Sequence, residues 1–321
     1  MRIIAATRVL NEDDVIEPFI RHHATMVDHH MLLDNGSIDR TVPILSSLRD
    51  EGFPLTVLQT QSVTFEERYA NTILYQAASR THHADWIIYL DADEFLDTRA
   101  SDGAFRTLLE SVPPAIPAIR LNMMNYHDTW RDDPEDWLLP RRIAYRAPAL
   151  ADVWKICIRG GLPGQVIIEP GNHGATVNGL PALCVETPGL RLAHFAHRSA
   201  WHEMAKVVVG RLKVLSTGGD AVASNRSSHY TPVFERLMHK PSELLLNPDY
   251  LGARDLDIGR LAHDPIRYEG GSLRYTQPAD YRMKAVQSLL SYAERLARHH
   301  AALLERSPGA VEELSITPLL S

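Results

Sequence analysis

Asp91 and Asp93 stand one residue apart, directly after the apolar run Trp86–Leu90, and Glu94 follows them. Two carboxylates so spaced at a strand-ending turn present hard oxygens to one divalent cation, and Mg²⁺ or Mn²⁺ held that way commonly bridges phosphate oxygens. The spacing by itself is cheap, because Asp255-Leu256-Asp257 repeats it with no apolar strand in front. Context separates the two: only Asp91-Ala92-Asp93 closes the fourth strand of a βα series. A solvated cluster of loop acids is the alternative. The sixteen histidines include the pairs His22-His23, His29-His30, His82-His83 and His299-His300, expected on surfaces, and no HExxH is present. His202-Glu203 has Lys206 where a zinc site would need its second histidine.

The elements that must position these carboxylates can be read from periodicity. Short β-rich runs alternate with helical patterns over the first ~125 residues, the mark of βαβ units and a largely parallel sheet. Strands are expected at Arg2–Thr7, His30–Leu33, Leu55–Gln59 and Trp86–Leu90, with helices over Glu12–Met26 (Asn11 as N-cap), Ile38–Asp50 and Thr64–Arg80. Polar residues then collect at the carboxyl ends of strands, where open α/β sheets bind ligands. From Ala115 the pattern turns to β runs at Ala118–Met124, Arg142–Arg146, Val153–Ile158, Gln165–Ile168 and Leu190–Phe195. A helix over Ser199–Leu215, a linker near Ser216–Ser228, a helical region from Pro232 to Leu246 and a closing helix over Ala279–Arg306 complete the chain. Val286, Leu289, Leu290, Ala293, Leu296 and Ala297 give that last helix an apolar stripe expected to serve packing.

Three ordered strings carry a resemblance: Thr7-Arg8-Val9-Leu10-Asn11-Glu12, then HMLLDNGSIDRT around Asp34, then WIIYLDADEFL. Together they resemble the nucleotide-binding half of family 2-type glycosyltransferases of the GT-A fold, whose bacterial subgroup carries DNGSxD and DADEF motifs. The resemblance is clearest over residues 1–100. It continues more faintly at Trp154–Arg159, at Asn172-His173-Gly174 and at His194–Ser199, which is similar to the subgroup's HYxYRS segment. It implies an α/β fold, Rossmann-like with a mostly parallel central sheet, as a GT-A catalytic domain over residues 1–200. A helical C-terminal extension, with a candidate lid, would occupy 201–321.

The same resemblance implies transfer of a sugar from a nucleoside-diphosphate donor, with UDP the expected nucleotide and inversion the usual outcome. Thr7, Arg8, Glu12, Asp34 and Asn35 would then lie by the nucleotide. Asp91 would hold ribose and metal, and Asp93, helped by His194, would hold Mn²⁺ or Mg²⁺. His197 is the near alternative to His194, and a packing role stands beside the ligand role for either. Lys155, Arg8 and Arg68 are candidate phosphate partners, although a surface ion pair suits Arg68 equally. Asp34 reads alternatively as a turn residue beside Asn-Gly.

The base that takes the acceptor's hydroxyl proton is expected at His173, in a Gly-flanked loop, or among the acids of DTWRDDPED, Asp132 and Asp133 in particular. That acidic segment reads also as a solvated loop. Trp130 and Trp137 within it could stack on a sugar. The glycines of the stretch Gly252–Gln277 could hinge a lid carrying Arg267, Tyr268, Arg274 and Tyr275 over the donor; a plain surface connection is the other reading.

Composition narrows the alternatives. The 321 residues are 45% hydrophobic and 23% charged, ordinary for a folded chain. With 33 basic against 40 acidic side chains, a formal charge of −7, no surplus cation is available for a nucleic-acid backbone. Cys157 and Cys184 make no disulfide framework. No signal-peptide core or membrane-length apolar run occurs, so a soluble, cytoplasmic protein is expected. GxSxG, GxxxxGK and GxGxxG are absent. The rival activities are an aspartate-nucleophile phosphatase, which would place DxD on the first strand, and a non-catalytic sugar-nucleotide-binding protein. The acceptor, a glycan, a lipid-linked glycan or a small molecule, is not legible.

Overall fold

The computed structural model describes residues 1–64, 66–97, 99, 104–224, 227–246 and 258–306. Its parallel half is built from β1 (Ile3–Val9), α1 (Ile16–His23), β2 (His29–Asp34), α2 (Thr41–Asp50), β3 (Leu55–Gln59), α3 (Glu67–Arg80) and β4 (Trp86–Tyr89). Side chains of β1 alternate between two apolar layers. Ile3, Ala5 and Val9 face the core under α1 and α2, while Ile4 and Ala6 face the core under α3. Both faces of the sheet are therefore covered, which is why these strands are apolar almost throughout.

The order across this half is β4-β1-β2-β3, all parallel. The chain runs outward from β1 to β3 on one side and then returns to lay β4 on the other. Between β1 and β4 lies the topological switch point, and strand ends at such a point open a crevice that no crossover fills. Arg8 leaves β1 there and Asp91 follows β4.

The rest of the sheet is largely antiparallel. After β5 (Glu94–Asp97) and α4 (Phe105–Ser111) come β6 (Ala118–His127), α5 (Leu139–Arg142), β7 (Tyr145–Arg146) and β8 (Trp154–Arg159). Strand β8 lies antiparallel between β4 and β6, and β7 extends the edge. A small sheet of β9 (Val166–Ile168), β10 (Ala175–Val177) and β11 (Leu180–Pro181) rests against α3, where Thr72 Oγ1 accepts from the Ile168 amide. Strand β12 (Cys184–His197) runs parallel to β6 and antiparallel to β5, so His194 stands opposite both Glu94 and Asn125.

The C-terminal helices are α6 (Ala200–Thr217), α7 (Gly219–Ala223), α8 (Tyr230–His239), α9 (Pro241–Leu245) and α10 (Tyr281–Arg306), with β13 (Ala262–His263) between the last two. Ser199 caps α6 by accepting from the His202 amide. Both cysteines are free, and no helix among the described residues is long and apolar enough to cross a membrane.

Several expectations are corrected. Helix α1 begins at Ile16 rather than Glu12, because Asn11 sits at φ +58° and spends its side chain on the Ile38 amide and Ser288 instead of capping a helix. The run 142–146 is the end of α5 and the two-residue β7, not one strand. His22, His23 and His30 are buried rather than superficial. The Nε2 of His22 bonds the Leu96 carbonyl, and His23 bonds the Phe19 carbonyl and the Leu96 amide, so the first two are satisfied core groups.

Candidate active site

Around the switch point the side chains of Asp91, Asp93, Glu94, Lys155, His194 and Lys206 converge. Lys155, on β8, is 3% exposed and pairs with Asp91 Oδ2 at 2.5 Å and Glu94 Oε1 at 3.2 Å. Its ammonium, then Arg8, lowers the Asp91 carboxyl against the cost of burial. Asp91, at the edge of the cavity, is thereby engaged in an ion pair and stands outside the three-residue group whose ligand atoms converge for a cation. Lys155 lies off the cavity wall, so the expected phosphate contact from it is replaced by a structural counter-charge.

Asp93 is buried yet held well below the usual carboxylate range, because Lys206, His194 and Arg198 outweigh its desolvation. Lys206 Nζ approaches Asp93 Oδ2 at 3.1 Å from α6. Glu94 goes the other way: burial, reinforced by Asp91 and Asp93, pushes it up to about 8. One Glu94 oxygen accepts from the Asp91 amide, while Oε1 is buried with no hydrogen-bond partner.

His194 completes a group with Asp93 and Glu94 whose ligand atoms all lie within 4.8 Å of one another. Its Nδ1 is 2.9 Å from Asn125 Oδ1, which fixes the tautomer with Nδ1 as donor and leaves the Nε2 lone pair facing Asp93. Burial lowers this imidazole to about 4, so it is neutral near pH 7. Two carboxylates and a neutral imidazole, with Glu94 Oε1 held only by its ion pair to Lys155, are a donor set suited to Mn²⁺ or Mg²⁺. His197 is committed elsewhere, to Glu203 at 2.9 Å and to stacking on His127.

A cavity of about 850 Å³ opens beside these groups. Its floor is the ends of β1 to β4: Arg8, Glu12, Asn35, Leu58, Thr60, Asp91 and Asp93 line it. Its roof is the C-terminal helices. Helix α6 presents His202, Ala205, Lys206, Val209, Gly210 and Lys213, and α10 presents Tyr281, Lys284, Ala285, Ser288, Ser291, Tyr292 and Arg295, in each case one face at helical spacing. The apolar stripe expected to pack α10 is turned partly outward, with Val286 43% and Leu290 67% exposed. Leu289 and Leu296 of that stripe do pack, with Tyr292, against Val63 and Val209, and polar contacts dock the helix as well: Arg295 donates to the Asn35 carbonyl, Asn35 Oδ1 and the Ser62 carbonyl, and Lys284 pairs with Asp13, Asp14 and Asp39.

Lys213 has no ion pair or hydrogen bond among the described residues, and burial together with Arg295 and Arg8 lowers its ammonium to about 8. Arg8 is bonded to Glu67 at 2.6 Å. Glu12, bonded to Arg198, is pushed up to about 7 chiefly by burial.

The remaining expected site residues are placed as follows. Thr7 is buried in the sheet and Asp34 is fully buried, and neither lines the cavity. Both Asp34 oxygens are taken by the turn, accepting from the Gly36 amide at 3.0 Å and the Ser37 amide at 3.1 and 3.2 Å. The geometry is that of the turn residue. Arg68 is 60% exposed and pairs with Glu169, again the surface alternative. His173 bonds the Trp154 carbonyl at 2.6 Å and borders neither cavity. Asp132 is tied to Thr129 and Asp133 to the Glu135 amide; only Asp132 borders a cavity, a second one described below.

None of residues 258–277 lines the cavity of about 850 Å³. Glu17 accepts from the amides of Arg274, Tyr275 and Thr276, and Tyr268 stacks on His22, so the segment is bound to α1. Gly252 and the second DxD, Asp255 and Asp257, lie outside the described residues. Lys206, Lys213, Tyr230, Lys284 and Arg295 were not singled out by sequence; the spacing of seven between Lys206 and Lys213 on α6 and of eleven between Lys284 and Arg295 on α10 is the signal that puts each pair on one helix face, while Tyr230, on α8, carries no such signal.

No family model matches the chain, and no curated protein does. Among solved structures it is similar to S. aureus TarS residues 1–349 in complex with UDP, with 11% identity over 76% of this chain and 72% of that one and a TM-score of 0.39. A mannosyltransferase from Pyrobaculum calidifontis in complex with GDP-Man and Mn²⁺ gives 14% identity over 96% and 81%, with a TM-score of 0.38. Glucosyl-3-phosphoglycerate synthase from Mycobacterium tuberculosis with Mn²⁺ and UDP bound gives 18% over 38% and 44%, with a TM-score of 0.27. At these values the likenesses assign nothing to the individual residues of this chain.

Proposed function

We propose that the protein is a metal-dependent glycosyltransferase of the GT-A type, using a nucleoside-diphosphate sugar, UDP-linked on family grounds. The observation that carries the reading is the donor set Asp93, Glu94 and His194 at the switch point of the sheet, of which Asp93 reaches the wall of a cavity also lined by Arg8, Lys206 and Lys213. A divalent cation on that donor set supplies charge neutralisation to a departing diphosphate.

The chain's own residues do the rest. Lys206 and Lys213, seven residues apart on one face of α6, are the cations that would meet phosphate oxygens, and Lys213 makes no ion pair among the described residues, Glu67 acting on it only from beyond ion-pair distance. Arg295 fixes the Asn35-Gly36 edge of the nucleoside end from α10. Transfer joins the acceptor's hydroxyl oxygen to the anomeric carbon, breaks the bond from that carbon to the diphosphate, and sends the hydroxyl proton to a base. Glu12, near 7 and on the wall, has the proton affinity for that task. DxD after the fourth strand rather than the first weighs against the phosphatase.

The test is a thermal-shift panel of nucleoside diphosphates and nucleotide sugars, each with and without Mn²⁺. A metal-dependent shift with UDP supports the reading, since binding stabilises the native state by mass action. No shift with any nucleotide, together with phosphate-ester hydrolysis, would overturn it.

A further inference from the structure

A second cavity, of about 290 Å³, lies behind the first. Asp128, Asp132, Trp137, Arg142, Arg198 and Tyr281 are on its wall. Tyr281 lines both cavities, and the partition is completed by Arg198, which pairs with Glu12 on one side and Asp14 on the other. Most polar groups in this wall are engaged: Arg198 by those acids at both terminal nitrogens, though its buried Nε has no partner, Asp132 by Thr129, Tyr281 by Asp14 at 2.9 Å. Two whole side chains are less engaged. Arg142 makes no ion pair among the described residues, and its guanidinium reaches only Tyr281 Oη, at 3.3 Å. Asp128 makes no side-chain bond to another residue there, and burial beside Asp132 keeps its carboxyl up at about 7 against the pull of the Arg142 charge, which faces it without forming an ion pair.

An unpaired guanidinium and an unpaired carboxyl facing one small cavity ask for a ligand with both an anionic group and hydroxyls. Arginine's planar fork matches carboxylate and phosphate oxygens in pairs. A carboxyl accepts from, or when protonated donates to, a hydroxyl. Trp137, 44% exposed at the rim, offers a flat apolar face of the kind that covers the C–H side of a sugar ring. The volume is just under the ~300 Å³ at which small-molecule sites begin, which suits a monosaccharide. We infer that this cavity is the acceptor site, binding a monosaccharide-sized polyol that carries a phosphate or carboxylate, with Arg142 on the anion and Asp128 on a hydroxyl. This rests on the transferase reading. The ligand would present a further hydroxyl past Tyr281 toward the first cavity.

Calorimetric titration tests it with four probes, glucose 1-phosphate, glucuronate, inorganic phosphate and glucose, each in the presence and absence of saturating UDP and Mn²⁺. The expected result is binding of glucose 1-phosphate or glucuronate alongside UDP, with glucose weaker, and the better of the two names the anion. R142Q should weaken that probe roughly 10- to 100-fold, the worth of charge-assisted bonds to one anion. Because R142Q also touches Tyr281, the rim variant W137A serves as the second probe, with a smaller loss and no buried contact at risk. UDP binding in R142Q separates the two hypotheses: if wild type and R142Q bind UDP alike, the donor reading stands whatever the acceptor result. Failure of every probe to bind, displacement of the probe by UDP, or equal probe affinity in wild type, R142Q and W137A would each overturn the assignment.

Discussion

Replacing Asp34 with alanine separates two roles that look the same in sequence. In the structure its carboxylate is fully buried and accepts two backbone amides, those of Gly36 and Ser37, at 3.0 to 3.2 Å. Hydrogen bonds to a charged group contribute ~1.5–3 kcal/mol each, and a side chain that satisfies backbone amides at a turn is worth ~1–2 kcal/mol. The amides lie at the edge of the cavity and regain some water, so the net cost of D34A is placed at about 2–4 kcal/mol. For a chain of this size that corresponds to a fall in Tm on the order of 3–6 °C. The D34N variant keeps one acceptor oxygen and should fall about half as far. Neither oxygen reaches the cavity, so UDP and uridine should bind D34A within roughly threefold of wild type at a temperature well below its Tm, a ratio that corresponds to less than ~0.7 kcal/mol. Scanning calorimetry and titration of both ligands on the same preparations give the two numbers. An unchanged Tm with a tenfold or greater loss of uridine binding would refute the turn assignment and restore Asp34 as a nucleoside ligand.

Three further outcomes follow from the site and the core. D93N should abolish Mn²⁺-dependent donor turnover while keeping its circular dichroism spectrum, because the cation it strands, Lys206, is 38% exposed and can be resolvated; metal-dependent turnover that persists would remove Asp93 from the donor set. K213M should weaken UDP roughly tenfold and leave uridine unchanged, and equal losses for both would place Lys213 at the nucleoside instead. Acid should destabilise the fold through His22, His23 and His30, whose protonation burial disfavours, His30 being lowered to about 3. The unfolded chain takes up their protons below ~6.5, so the stability present above that pH is lost as pH falls toward the folded values, by at most ~1.4 kcal/mol per pH unit for each. Urea midpoints for wild type and H30F between pH 7.5 and 5 check this: H30F should show the shallower dependence, and parallel curves would count against it.

The parts of the fold legible in sequence are those in which local pattern and tertiary demand coincide. Leu55–Gln59 is a strand over the residues its alternation suggests, and Trp86 begins β4 as the apolar run does, because a strand covered on both faces has little else to be. Asp93 could be picked from the two DxD spacings by the strand before it. The start of α1 was hidden because Asn11 is held by Ser288, 277 positions away. The buried histidines were hidden for a similar reason: a histidine pair reads as polar until the Leu96 and Phe19 backbone groups that satisfy it are in place. Lys155 and Lys206 both lie near the DxD, but which one faces inward and which faces the cavity depends on β8 and α6 packing on opposite sides of it.

The roof of the first cavity also sets a timetable for the nascent chain. Every strand of the parallel half has been made by residue 89, whereas the groups that close the cavity from above extend to Arg295, which bonds Asn35 across 260 positions. At ~5–20 residues per second, the crevice between β1 and β4 stands open for on the order of 10–40 s during synthesis, its acids already gathered and its covering cations not yet made. Asp91 and Glu94 await Lys155 for about the first third of that interval. The growing polypeptide therefore completes the strands of the parallel half well before it completes the walls of this cavity, and α10 is the last part of the roof to be made.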